Sequence, residues 1–140
     1  MDGVKSTPSG FERGIVSHEA MVLIVDDHVD SCMALKRLLE HKGVEARCVF
    51  GAQDALRFLH ESKADVVVLD DMMPDGSGLD VLTALRKDAS LADVKVVFYS
   101  AVFDDDRMRQ AMRLGVKDWM VKGTMQMSQI VDRIAAVAQA

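Results

Sequence analysis

Two adjacent aspartates, Asp26 and Asp27, close the apolar run AMVLIV, and a third, Asp70, closes the run VVVL. Further along, Ser100 ends VKVVFYS, and Lys122 follows KDWMV. Carboxylates brought together repel one another and push at least one pKa upward, a strain that a divalent cation relieves. A few carboxylates with open positions suit Mg²⁺ better than a dedicated Ca²⁺ cage. A carboxylate beside a metal, an amine and a hydroxyl is a set of parts for accepting a phosphoryl group. Metal and amine neutralise the charge on its equatorial oxygens, and attack by the carboxylate yields an acyl phosphate.

These side chains meet only if each apolar run is a strand and all the strands end on one rim. Ala20–Val25, Val44–Phe50, Val66–Leu69 and Val94–Ser100 read as strands, with a fifth in KDWMV. Val66–Leu69 is apolar at every position, as a strand covered on both faces must be. Between the strands the period changes to that of helices. Val29, Cys32, Leu35 and Leu39 predict an inward stripe that stops at Gly43. Ala52, Ala55, Leu56 and Leu59 predict a second helix, and Leu79, Leu82 and Leu85 a third. A fourth starts in the acidic turn at Asp104–Asp106, favourable at the positive end of its dipole, and ends at Gly115. Met127, Ile130, Val131, Ile134 and Val137 predict the inner face of a fifth. Strands alternating with helices imply an α/β fold, a five-stranded parallel sheet doubly wound by five helices. Ligands bind such sheets at the carboxyl ends of the strands.

Composition narrows the function classes. The 140 residues are about one domain, and 49% hydrophobic with 28% charged residues is ordinary for a globular protein. A net charge of -5 and scattered Lys and Arg argue against nucleic acid as a partner. No apolar run reaches the ~20 residues of a membrane span, and none near the start suits a signal peptide. Residues 1–18, rich in Gly, Ser and Pro, are expected to be a flexible arm that Phe11, Ile15 and Val16 could dock, leaving 19–140 as the domain. Cys32 and Cys48 have neither metal-ligand spacing nor a disulfide framework and are read as core residues of a cytoplasmic protein.

The stretches LIVDDHVD, VVVLDDMMPDGSGLDVL, VVFYSA and LGVKDWMVKG resemble, in order and spacing, the motifs of the response-regulator receiver domain of two-component signalling. The similarity runs from about Ala20 to Val137. It implies a flavodoxin-like fold with strand order 2-1-3-4-5. It implies that Asp70 is the phosphorylation site, served by a histidine kinase, a histidine phosphotransfer protein or a small acyl phosphate. Asp27 would bind Mg²⁺ directly, Asp26 largely through water, and Asp70 and the Met72 carbonyl would complete the protein's share. Lys122 and Ser100 would contact the phosphoryl group, and Ser100 and Trp119 would form the switch. The signal would leave through an unidentified partner protein or a homodimer, at the fourth helix, fifth strand and fifth helix, where Met108, Met112, Met120, Met125 and Met127 gather.

Three positions depart from the family pattern. Gly123 follows Lys122 where proline is usual, so a trans bond and a displaced Lys122 are expected. Asp71 stands where an apolar residue is commoner and is expected to be a solvated charge pointing away from the site. Trp119 is bulkier than the usual Tyr or Phe. Two other readings compete: a degenerate receiver that only binds partners, and an aspartyl-phosphate phosphohydrolase of haloacid-dehalogenase type. The second needs an acid two residues after the nucleophile, where this chain has Met72. Apart from its own phosphorylation and autodephosphorylation, the chain is not expected to be an enzyme.

Overall fold

In the computed structural model, which describes residues 20–140, the five apolar runs form strands of one parallel sheet. They are β1 (Met21–Val25), β2 (Glu45–Val49), β3 (Val66–Leu69), β6 (Lys95–Ser100) and β7 (Asp118–Val121). The spatial order is β2-β1-β3-β6-β7. Counting these strands alone, it is the expected 2-1-3-4-5. Helices α1 (Val29–His41), α2 (Ala52–Glu61), α3 (Gly78–Lys87), α4 (Asp105–Arg113) and α5 (Met127–Gln139) connect or follow them. The arm expected at 1–18 lies outside the described residues.

Side-chain alternation sorts the sheet into two cores. Val22, Ile24, Val66, Val68, Val97, Tyr99 and Met120 pack with α1 and α5. Leu23, Val25, Val67, Leu69, Val96 and Phe98 pack with α2, α3 and Ala111 of α4, and Trp119 joins them from β7. β3 lies at the centre and is buried at all four positions, as its sequence demands.

Three details differ from the expectation. Val29 opens α1 at the rim and is exposed, so the inward stripe begins at Cys32. On α5, Met127 is exposed and Val137 is only partly buried, while Ala135 and Ala138 are buried in the core. The segment Pro74–Gly76, whose residues read in the sequence simply as a tight turn, is also more than that. It joins β4 (Met72–Met73) and β5 (Gly76–Ser77), a two-residue antiparallel hairpin. From its tip the Asp75 carboxylate accepts the N–H groups of Ala52 at 2.9 Å and Gln53 at 3.1 Å, capping α2, whose own N-cap is Gly51. Those N–H bonds hold the Asp75 carboxyl below its usual pKa. The hairpin then leads into α3 through a capping box between Ser77 and Asp80.

Candidate functional site

The backbone ladder runs one residue past the ends of the strands, and this fixes the acids. Val25 pairs with Leu69, and the next amide on each strand stays bonded: Asp26 N–H to the Val49 carbonyl (3.2 Å), Asp70 N–H to the Val25 carbonyl (2.9 Å). On the other side Ser100 pairs with Val121, and Lys122 N–H donates to the Ser100 carbonyl at 2.8 Å. Asp26, Asp70 and Lys122 all continue the parity of the α1/α5 face. They meet there: Lys122 Nζ is 2.6 Å from Asp26 Oδ2 and 3.8 Å from Asp70 Oδ2. Asp27 completes the acidic group, and His28, which sequence reasoning did not single out, joins it. One ligand atom from each of Asp26, Asp27, His28 and Asp70 lies within 4.8 Å of all the others. His28 Nδ1 is 3.2 Å from Asp26 Oδ1 and 3.4 Å from Asp27 Oδ1. Its only signal in the sequence is its place directly after the paired aspartates.

Asp26 and Asp70 are buried, yet the local charges are unbalanced. Burial, above all, raises the pKa of Asp70; Lys122 opposes this, the Asp26 charge adds to it, and the Met72 N–H, 3.4 Å from Asp70 Oδ1, opposes it weakly. For Lys122, burial works to lower the pKa, but the hydrogen bond to Asp26 and the charges of Asp70 and Asp26 outweigh it and raise the value. Asp27 Oδ1 is buried and accepts no hydrogen bond from any of the described residues. A buried carboxylate oxygen without a donor is costly in a folded protein. Surplus negative charge, an orphaned oxygen and a donor set dominated by three carboxylates, with only His28 beside them, together fit a hard divalent cation. Met72, the remaining expected ligand through its carbonyl, follows in β4 with its side chain exposed.

Gly123 has φ of 83°, a conformation closed to proline, and no peptide bond among the described residues is cis. The chain therefore leaves β7 by a route proline could not take. Lys122 still reaches the acids, so the expected displacement does not remove it from the site. Its Nζ also sits 5.4 Å from the centroid of the Tyr99 ring.

Ser100 and Trp119 lie on the opposite parity, toward α4. Ser100 is fully buried, with its Oγ 3.4 Å from the Val102 N–H. Trp119 stacks on Phe98 with ring centroids 4.5 Å apart and an interplanar angle of 6°. Its Nε1 is buried without a partner among the described residues. Asp71 shares this face, and here the sequence expectation fails in part. The side chain does point away from the acids, but not into solvent. It is 2% exposed and gripped by Arg107 of α4, Nη2 to Oδ1 at 2.8 Å and Nε to Oδ2. The hydrogen bond to Asp71 raises the pKa of Arg107, with burial opposing. No local pattern in the sequence announces a partner 36 residues away.

The family model described as a response regulator receiver domain matches residues 22–135. The sensory/regulatory protein RpfC of Xanthomonas campestris pv. campestris is 31% identical over 135 residues, covering 91% of this chain and 18% of that protein. The two-component response regulator ORR8 of Oryza sativa subsp. japonica is 36% identical over 103 residues, covering 72% of this chain and 84% of that one. The chain thus spans less than a fifth of the length of RpfC but most of the length of ORR8. Among solved structures, a response regulator receiver protein from Pseudomonas putida superposes with a TM-score of 0.80 at 27% identity, covering 86% of this chain and 99% of that one.

Proposed function

The chain belongs to the response-regulator receiver family of two-component signalling, and we propose that Asp70 is its phosphoacceptor. The observation that carries this reading is the convergence of Asp26, Asp27, Asp70 and Lys122 on one rim, with a buried oxygen of Asp27 left unbonded. Asp70 attacks the phosphorus of a phosphohistidine, on a histidine kinase or phosphotransfer protein, or of a small acyl phosphate. The new O–P bond forms as the bond to the donor's nitrogen or oxygen breaks, and the donor leaves with the electron pair. Asp27, Asp70 and the Met72 carbonyl would hold Mg²⁺, with Asp26 acting largely through water, and the bound ion would supply charge neutralisation at the phosphoryl oxygens. Lys122, now bonded to Asp26, turns its ammonium to the phosphoryl group, and Ser100 rotates its hydroxyl toward the same oxygens. Trp119 follows into the space that Ser100 vacates.

The chain acts as a switch and catalyses only its own phosphorylation and dephosphorylation. Met72, in the place of a second acid, speaks against turnover of free phosphate esters. No helix among the described residues is long and apolar enough to cross a membrane, which is compatible with a cytoplasmic site of action. The output surface comprises α4, β7 and α5, where Met112 and Met127 are exposed while Met120 is buried in the core. Through it the phosphorylated chain binds a downstream protein or a second copy of itself.

Incubation with Mg²⁺ and acetyl phosphate tests the reading. One phosphoryl group, labile in base, should be gained, and Asp70→Asn should abolish it. Stable labelling of that variant at Ser100 or a histidine would overturn the assignment. Intact protein that takes no phosphoryl group and no Mg²⁺ would favour a module that only binds partners.

A further inference from the structure

Helix α4 is poorly held by apolar contacts. Of its nine residues only Ala111 is buried, whereas α3 buries five and α5 five. Guanidinium groups hold it at both ends instead. At its C-terminal end, Arg86 of α3 donates Nε to the Leu114 carbonyl at 2.6 Å. At its N-terminal end, its own Arg107 forks onto Asp71, the residue directly after Asp70. That fork engages both Asp71 oxygens, and Oδ1 also accepts the Leu79 N–H in the first turn of α3 at 3.4 Å. Between Ser100 and α4 run only residues 101–104, with Val102 and Phe103 more than half exposed. The Val102 N–H makes the contact to the Ser100 hydroxyl that must be given up if that hydroxyl turns toward Asp70.

We propose that the Asp71–Arg107 pair is a restraint that holds α4 in the unphosphorylated arrangement and sets the threshold for switching. The inference rests on the phosphoacceptor reading of Asp70 and adds a regulatory element to it. Turning Ser100 toward a phosphoryl group draws the 101–104 loop with it. The start of α4 must follow, but Arg107 ties it to a carboxylate that the rigid end of β3 holds still. Separating the pair leaves the buried Asp71 carboxylate without its cation, while the partly exposed Arg107 can turn to solvent, and that uncompensated carboxylate opposes the motion. A contact made only in one state biases the equilibrium by its full differential energy. The same linkage runs backward: removing the pair enlarges the fraction of molecules already competent for phosphorylation.

The test measures the rate of Asp70 phosphorylation by acetyl phosphate at saturating Mg²⁺, together with amide hydrogen exchange along the chain. Arg107→Gln removes the fork, and the paired change Asp71→Leu with Arg107→Leu removes both charges, leaving neither orphaned. Both should be phosphorylated about fivefold or more faster than the unaltered protein, the scale of an ordinary allosteric coupling. Exchange in 101–113 should quicken while α1 and α5 are unchanged. Arg107→Lys, which keeps the charge but loses the fork, should fall between. The paired variant decides the matter if Arg107→Gln does not fold. Faster exchange in α4 with unaltered or slower phosphorylation in the folded variants would overturn the restraint and leave a mere anchor. Unaltered protein that is not phosphorylated at all would instead overturn the phosphoacceptor reading, and this inference with it.

Discussion

At Asp70 the demands of chemistry and of stability oppose each other. A nucleophilic carboxylate is needed at the tip of a buried strand, and the pKa of Asp70 is raised there, first by burial and then by Asp26 and Asp27, with Lys122 only partly compensating. The sign of the consequence follows from linkage. Below the ordinary carboxylate pKa, near ~4, Asp70 is protonated both folded and unfolded and exacts no penalty. As pH rises through the raised folded value, the unfolded chain loses this proton more readily than the native one, and stability falls. Asp70→Asn, which retains a carbonyl for the Met72 N–H, should therefore raise Tm in metal-free buffer at neutral pH. Relieving functional-site strain of this kind commonly gains about 1 kcal/mol. The advantage should shrink toward zero as pH drops below the usual carboxylate range. A thermal melt series that shows a constant or inverted difference across pH would contradict the account. Single residues of this kind were legible in the sequence because each acid, hydroxyl or amine stands directly after an apolar run. For Asp71 the direction of the side chain is legible from strand alternation, but its burial is not, because that depends on Arg107 and no local rule links the two.

Among the elements, the contact between the end of β3 and the start of α3 holds Asp70 most directly. Gly78, the first residue of α3, packs so closely that an added Cβ would meet the Asp70 carbonyl oxygen at 2.6 Å and Phe98 Cε2 at 2.7 Å. Neither neighbour can retreat. One is backbone bonded into the sheet's end, and the other is a fully buried ring stacked on Trp119. Gly78→Ala should destabilise the protein by about 1–3 kcal/mol, the usual cost of overpacking. It should also slow phosphorylation, because the clash pushes on Asp70 itself. A variant that loses stability but is phosphorylated at the original rate would mean that Asp70 is positioned by other contacts. The alternation of strands and helices could be read because short apolar runs give way repeatedly to stretches with a 3.6-residue period. The β4–β5 hairpin and the capping of α2 by Asp75 could not. Two-residue strands have no period, and a cap supplied from 23 residues away leaves no mark near the helix it caps.

Over the whole molecule, the parallel sheet turns these separate placements into one binding event. Its C-terminal rim gathers three carboxylates from two adjacent strands, and Lys122 answers only part of their charge. The rim and the strand order could be expected from the α/β pattern and the family resemblance. The detailed charge balance could not, because it depends on which way Lys122 turns: it bonds Asp26 at 2.6 Å and leaves Asp27 Oδ1 unbonded. A divalent cation that binds this native cluster, and not the unfolded chain, must stabilise the fold by mass action. At ten times its dissociation constant the gain is about 1.4 kcal/mol. For a domain of this size that is a Tm rise of roughly 3–8 °C. Asp27→Ala removes the orphaned oxygen together with the ligand. Its metal-free Tm should therefore equal or exceed that of the unaltered protein, while its response to Mg²⁺ should largely vanish. The two halves of this prediction separate ligation from general screening. Screening by ionic strength would act on Asp26 and Asp70 in either protein, and NaCl at matched ionic strength would reproduce it. Differential scanning calorimetry of both proteins, with Mg²⁺ and with matched NaCl, distinguishes the cases. An equal Mg²⁺ shift in the two proteins would mean that the ion stabilises the chain elsewhere and that the rim is not its site.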